Sequence, residues 1–283
     1  MKSRLFAGVA GLSAAFLAAA TPAIAQEEAP SEITVSGTVG LVTDYRFRGV
    51  SQTDKEMAVQ GGVTVSHASG FYVGTWASNL SGWGTFGGSN MELDLVGGFS
   101  TEVASGVNLD VGLTWYMYPG GASETDFAEP YVKLSSTMGP AKVLVGVAYA
   151  PKQQALGRWY YDADAYAEGT PDDPGAKSDN FYVWGDVSGG IPDTPLSLKA
   201  HLGYSDGNSG LGPNGTSVAP TGSYLDWMLG ADLALGPVTL GVAYIDTDIS
   251  KSESAYLYPN FASTKNGSSI AGSTAVFSLS AAF

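Results

Sequence analysis

The feature that most constrains this chain is an apolar/polar alternation with period two, repeated in twelve segments whose connections are alternately short and long. Residues 33–47 show it first. Ile33, Val35, Val39, Leu41, Tyr45 and Phe47 fall on one parity, and Thr34, Ser36, Thr38, Asp44, Arg46 and Arg48 on the other. Successive side chains of a strand point to opposite faces, so the pattern predicts a strand with one apolar face and one polar face. The same alternation predicts strands at 57–66, 71–78, 91–101, 107–117, 129–136, 141–149, 180–187, 196–204, 224–235, 238–246 and 271–283. Tight turns such as Ala104-Ser105-Gly106, Met138-Gly139-Pro140 and Gly236-Pro237 alternate with longer polar loops, the longest being 150–179.

An even number of strands, with short turns at one end and long loops at the other, is the outer-membrane barrel pattern. A β-sandwich also supplies many short strands, but its Greek-key crossings give no reason for the alternation. The amino terminus agrees with export. Lys2 and Arg4 precede an apolar run that ends at Ala23-Ile24-Ala25, the form of a cleaved secretory signal over 1–25. Residues 26–32 then read as a short acidic periplasmic leader and 33–283 as a single barrel. After residue 25 no apolar run approaches the ~18 residues of a spanning helix, so a membrane crossing requires a closed sheet with no edge left in lipid.

Composition narrows the function classes. The formal net charge of −14, with 27 acidic against 13 basic residues, repels phosphate backbones and makes nucleic acid an unsuitable partner. The absence of cysteine excludes a disulfide framework, thiolate metal sites and thiol catalysis. No G-x-S-x-G, H-E-x-x-H or P-loop pattern occurs, and a surface-barrel hydrolase would need a Ser and a His together at the lipid face. His67 falls in a predicted turn and His201 on the polar parity, so no enzymatic site and no cofactor is expected.

Parity assigns the remaining candidates. Tyr45, Phe47, Trp115, Tyr149, Phe181, Tyr204 and Tyr244 sit on the apolar face at the long-loop ends, as an outer aromatic girdle would, with Phe71 and Phe283 at the opposite level. The polar face lists Asp44, Arg46, Arg48, Glu92, Asp94, Asp110, Lys133, Lys199, His201, Asp226 and Asp232 as pore-lining candidates, with Glu129, Lys142 and Asp186 on the same parity. On this reading Asp44, Arg46 and Arg48 form a ladder at the outer mouth, either as a charge filter or as structural ion pairs. Arg158, Trp159, Tyr160 and Tyr161 in the longest loop are candidates for a constriction, a stacking platform or an anchor on the rim. Asp162, Asp164, Asp172 and Asp173 in the same loop read as solvated acids more readily than as a calcium site.

The motif T-V-G-L-V-T-D-Y-R-F-R-G-V-S-Q at 38–52, followed by Val59-Gln60-Gly61-Gly62 and by G-F-Y-V-G-T-W-A-S-N at 70–79, resembles the TorF-type porins of proteobacteria. The likeness is close over 33–99 and looser beyond. It implies an outer-membrane channel and supplies no substrate. The terminal Phe283, behind alternating apolar residues, resembles the signal read by barrel-assembly machinery. The expectation is a Gram-negative outer-membrane barrel in contact with lipid and lipopolysaccharide. It would pass small hydrophilic solutes with a mild cation preference; the alternative is a non-conducting surface barrel whose loops bind a partner.

Overall fold

The computed structural model describes residues 32–283; the expected signal peptide, and the leader except for Glu32, lie outside these residues. The strands are β1 (Ile33–Val42), β2 (Arg46–Phe47), β3 (Val50–Ser51), β4 (Ala58–His67), β5 (Phe71–Asn79), β6 (Met91–Ala104) and β7 (Val107–Met117). They continue as β8 (Phe127–Met138), β9 (Ala141–Gln153), β10 (Ser178–Gly190), β11 (Leu196–Asp206), β12 (Ser223–Leu235), β13 (Val238–Thr247) and β14 (Thr274–Ala282). Twelve of them close an antiparallel barrel in the order β1-β14-β13-β12-β11-β10-β9-β8-β7-β6-β5-β4, and β2 pairs only with β3. Closure is made where β1 pairs with β14 on one side and β4 on the other. Phe283 extends that seam, since its N–H donates to the Gly37 carbonyl at 3.0 Å and its own carbonyl accepts from Gly37 at 2.8 Å.

The alternation decides which face is which. Val35, Val73, Leu95, Val111, Val145, Leu202, Leu229 and Phe277 stand exposed on the outside, an apolar wall that water would not favour and lipid would. The inner parity carries the polar and charged side chains together with Tyr72, Tyr131 and Tyr182, which are buried in the barrel. These tyrosines lie flat because the neighbouring strand offers glycine. A Cβ on Gly98 would come within 2.5 Å of the Tyr72 hydroxyl, and one on Gly112 within 2.4 Å of the Tyr131 hydroxyl. Part of the glycine and tyrosine content therefore has one cause: aromatic plates laid across glycine steps on the inner wall, Tyr72 on Gly98, Tyr131 on Gly112 and Tyr182 on Gly203.

The structure corrects the sequence reading at residue 43. The first strand does not run on to Phe47; it stops at Val42, and within residues 43–57 the stretch 44–52 is buried inside the barrel. Arg48 (φ 47) and Gly49 (φ 79) form a two-residue left-handed turn between β2 and β3, the geometry that closes a tight hairpin. Gly49 is required there, because a Cβ would lie 2.3 Å from Thr247 Cγ2 as well as straining the backbone. The last strand likewise starts at Thr274, three residues after its expected start at Ala271, which is buried in the loop core.

Above the barrel the long loops pack on one another into a cap. Val50, Trp83, Tyr160, Leu211, Leu257, Phe261 and Ile270 form its apolar core. The cap includes a short helix, α1 (Ala163–Glu168), that alternation did not reveal; Asp162 caps it by accepting from the Ala165 N–H at 2.9 Å.

Candidate functional site

The candidate site is the lumen, and its outer half is occupied by the hairpin of β2 and β3. Tyr45 and Phe47 are buried there with Tyr116, Phe127 and Phe86, so the hairpin brings its own apolar surface to the middle of a polar barrel, while Val50 on its second arm joins the core of the cap. Tyr45 packs edge-on against Trp76 at 5.3 Å between centroids and Phe47 edge-on against Tyr116 at 5.7 Å. Such pairs contribute roughly 0.5–1.5 kcal/mol each beyond burial.

Polar contacts fix the hairpin's position. Arg46 donates through Nε to Asp44 at 2.8 Å and through Nη1 to the carbonyls of Gly49 (2.8 Å) and Gly272 (2.9 Å). The Asp44 carboxylate also accepts from Ser51 Oγ at 2.6 Å, tying both arms of the hairpin together. Arg48 at the tip reaches β8, five strands round the twelve-strand ring from β1, where Nη2 donates to both carboxylate oxygens of Glu129 at 2.7 Å. Its guanidinium lies 4.1 Å from the centroid of the Tyr182 ring on β10. Burial pulls the Arg48 pKa down, but Glu129, Tyr116 and Tyr182 more than offset it, so the group is held above its ordinary value. Tyr45 donates its hydroxyl to Glu92 of β6 at 3.2 Å. The hairpin thus spans the lumen, anchored on opposite walls.

Beside it, between Phe47, Trp83, Phe86, Tyr118 and Tyr224, about 10 Å³ remains for the centres of water molecules, at most one water. Below it the inner wall is polar, and charged pairs bridge neighbouring strands. Lys133 meets Asp110 at 3.0 Å and Lys199 meets Asp232 at 2.7 Å. His201 lies between Asp186 at 2.7 Å and Asp226 at 3.2 Å, with the Tyr182 hydroxyl 2.9 Å from Nε2. His201, Asp186, Asp226 and the Tyr182 hydroxyl thus form one hydrogen-bonded charge cluster on the inner wall.

A family model for bacterial proteins of unknown function, Gcw_chp, matches residues 26–283. The chain belongs to that family. A search of curated proteins returned no match. Among solved structures, the KdgM porin in complex with disordered oligogalacturonate superposes with a TM-score of 0.50 at 7% identity, covering 88% of this chain and 98% of that one. The outer membrane channel DcaP of Acinetobacter baumannii gives 0.39 at 11% identity, covering 89% and 97%. An anion-selective porin from Comamonas acidovorans gives 0.38 at 10%, covering 89% and 99%. At these identities the likeness concerns the fold: a closed antiparallel barrel of the outer-membrane porin type.

In this Gcw_chp barrel the charges expected on the inner parity of the strands lie inside. Glu92, Asp94, Asp110, Lys133, Asp226 and the rest face the lumen, whereas Asp44, Arg46 and Arg48 do so only as parts of the hairpin and form no ladder along a wall. Trp115, Tyr149, Phe181, Tyr204 and Tyr244 are exposed on the outer wall. Tyr45 and Phe47 are not; at 2% and 8% exposure they pack inside, which removes them from any girdle. The reason is that the wall strand ends at Val42 and the chain bends at residues 43–44, which brings both rings inside the barrel.

The 158–161 segment lies in the cap. Tyr160 is buried against Leu211, and Arg158 stacks on Tyr161, its guanidinium carbon 4.0 Å from the ring centroid. Asp162 and Asp172 are engaged by the loop backbone, Asp172 accepting from the Tyr161 N–H at 2.7 Å. Among the described residues no cluster of three or more His, Cys, Asp or Glu suits a metal ion. Sequence reasoning missed the inward tyrosines and Gln60; inner parity marks them all, but what they touch depends on register.

Proposed function

We propose that the chain is an outer-membrane channel of the TorF porin type for small hydrophilic solutes, held closed by the hairpin of β2 and β3. The supporting observation is the contrast between the two halves of one lumen. The inner half has a polar, ion-paired wall suited to water and solutes, and the outer half is filled by a segment bonded to the barrel through a handful of side chains. A barrel built only for rigidity has no use for the first; an always-open pore has none for the second. A mild cation preference is supported by the acidic excess of the chain, 27 Asp and Glu against 13 Lys and Arg, and by two carboxylates sharing His201. The long loops would face the cell exterior amid lipopolysaccharide, and the terminal Phe283, 76% exposed beside the closing seam, would be read by assembly machinery.

The filled outer lumen also favours a second reading, a non-conducting surface barrel whose cap binds a partner. Planar-bilayer recording separates the two. The intact protein is expected to show rare openings, and a variant with residues 46–51 replaced by two glycines is expected to show steady conductance, with a reversal potential of cation sign in a salt gradient. Silence from both proteins, each shown to be folded by its heat-dependent gel mobility, rejects the channel reading. An anion-sign reversal potential rejects the preference.

A further inference from the structure

At the tip of the hairpin, the barrel wall offers a carboxylate and an aromatic face to a planar cation. Glu129 stands on β8, Tyr116 on β7 and Tyr182 on β10, all strands of the closed ring, so these groups do not depend on the hairpin for their position. Among the described residues the side-chain donors to Glu129 are Arg48 and the Tyr116 hydroxyl, the latter at 3.2 Å. Lys133, the cation of β8 itself, is taken by Asp110 at 3.0 Å. Tyr182 is held flat against the neighbouring strand, and its hydroxyl donates to Asp226 at 3.1 Å. The Arg48 guanidinium carbon lies 4.1 Å from the centroid of that ring.

We infer that Glu129 and the Tyr182 ring form a recognition site for a guanidinium-bearing solute, which Arg48 occupies in the closed state as the chain's own stand-in. Arg48 is an imperfect occupant. Its Nη2 meets both carboxylate oxygens, while Nε and Nη1 are buried with no hydrogen-bond partner among the described residues. Donors left unmade in this way weaken the closed state. The backbone restrains any adjustment, because Arg48 sits in the left-handed region (φ 47) of a turn that Arg46 ties down through the Gly49 carbonyl. A free guanidinium carries no such tether. It can meet the carboxylate with two nitrogens, the stronger paired geometry, and still lie over the same ring face. An alkali cation matches the charge but not the plane, and urea matches the plane but not the charge. A solute bound there takes the place of the tip anchor and so opposes the closed hairpin by mass action. This deepens the channel reading and rests on it for the solute's passage; binding itself does not require conductance.

Methylguanidinium is the probe, with urea and sodium chloride as comparisons. In planar bilayers at constant ionic strength, methylguanidinium at about 10 mM, the scale on which a short tether competes, is expected to lengthen the open time of the parent protein about threefold. Urea or sodium chloride at the same concentration is expected to leave it unchanged. Ligand-observed NMR of the folded barrel in detergent measures binding directly. Arg48→Ala, which vacates the site, is expected to bind methylguanidinium saturably, and adding Glu129→Gln to weaken it about tenfold. Both variants are first checked for heat-dependent gel mobility; if Arg48→Ala does not fold, the response of the parent protein in bilayers decides. Open times that ignore methylguanidinium, or respond equally to urea or sodium chloride, overturn the inference. Binding that is absent from folded Arg48→Ala, or unchanged by Glu129→Gln, overturns the site. Silence of every protein in bilayers, with binding and its loss as expected, would instead overturn the channel and spare the site.

Discussion

Arg48 carries more structural consequence than any other side chain in the lumen. It is 1% exposed, pairs with Glu129 at 2.7 Å and lies over Tyr182. Removing one partner of a buried pair strands the other charge, at a cost of about 3–5 kcal/mol. In Arg48→Ala the Glu129 carboxylate keeps the Tyr116 hydroxyl at 3.2 Å as its remaining side-chain donor. The expected outcome is a closed state weakened by that amount, about a hundredfold or more in population, read as a rise in open time in bilayer recordings. Adding Glu129→Gln should restore part of it, because the stranded charge is then gone. Current traces from Arg48→Ala that match the parent protein would show that the tip pair does not hold the hairpin.

At the scale of elements, the hairpin and the glycine-stepped strands obey different rules. A strand in the wall is specified by alternation and paired neighbours, so its facing follows from parity. Gly112→Ala tests how tightly the inner plates are laid: its Cβ would sit 2.4 Å from the Tyr131 hydroxyl, so the tyrosine or the strand must move. A loss of about 1–3 kcal/mol is expected, seen as a lower urea midpoint of unfolding. Gly97→Ala, whose nearest atoms would be 3.9 Å away, is the control expected to change little. Equal midpoints for the two variants would remove the plate-on-step account.

The hairpin was hidden at this scale because parity presumes that a strand stays in the wall. Tyr45 and Phe47 return to the apolar parity of residues 33–41 after Thr43, and Asp44 and Arg46 to the polar parity after Val42, so the alternation reads on to residue 47. The one local sign of departure is Arg48-Gly49, an X-Gly pair of the kind that closes two-residue hairpins. By contrast, His201 and its carboxylates were legible as inner-wall charges, since no turn intervenes between them and their strands. Their grouping into one cluster was not legible, because it depends on the register that places Asp186 opposite His201.

For the whole molecule, the barrel separates an apolar exterior from a polar interior, and the membrane makes that separation measurable. Val145 on β9 is 54% exposed on the outer wall, among the strand's central residues. Val145→Arg is expected to cost about 2–4 kcal/mol if that face meets hydrocarbon. The measurement is unfolding in lipid vesicles beside the same variant in detergent. An unchanged stability in vesicles would place that face outside the hydrocarbon region.

The sequence by itself determined the twelve-stranded closed sheet, which faces look in and out, and the charge of the lumen. Those properties follow from a two-residue period and from the rule that lipid tolerates no open sheet edge. The tertiary structure alone decided that residues 43–52 leave the wall and fill the mouth. Arg48 finds Glu129 only because the ring brings β8 across from β1, and no local pattern carries a contact made between residues 81 positions apart.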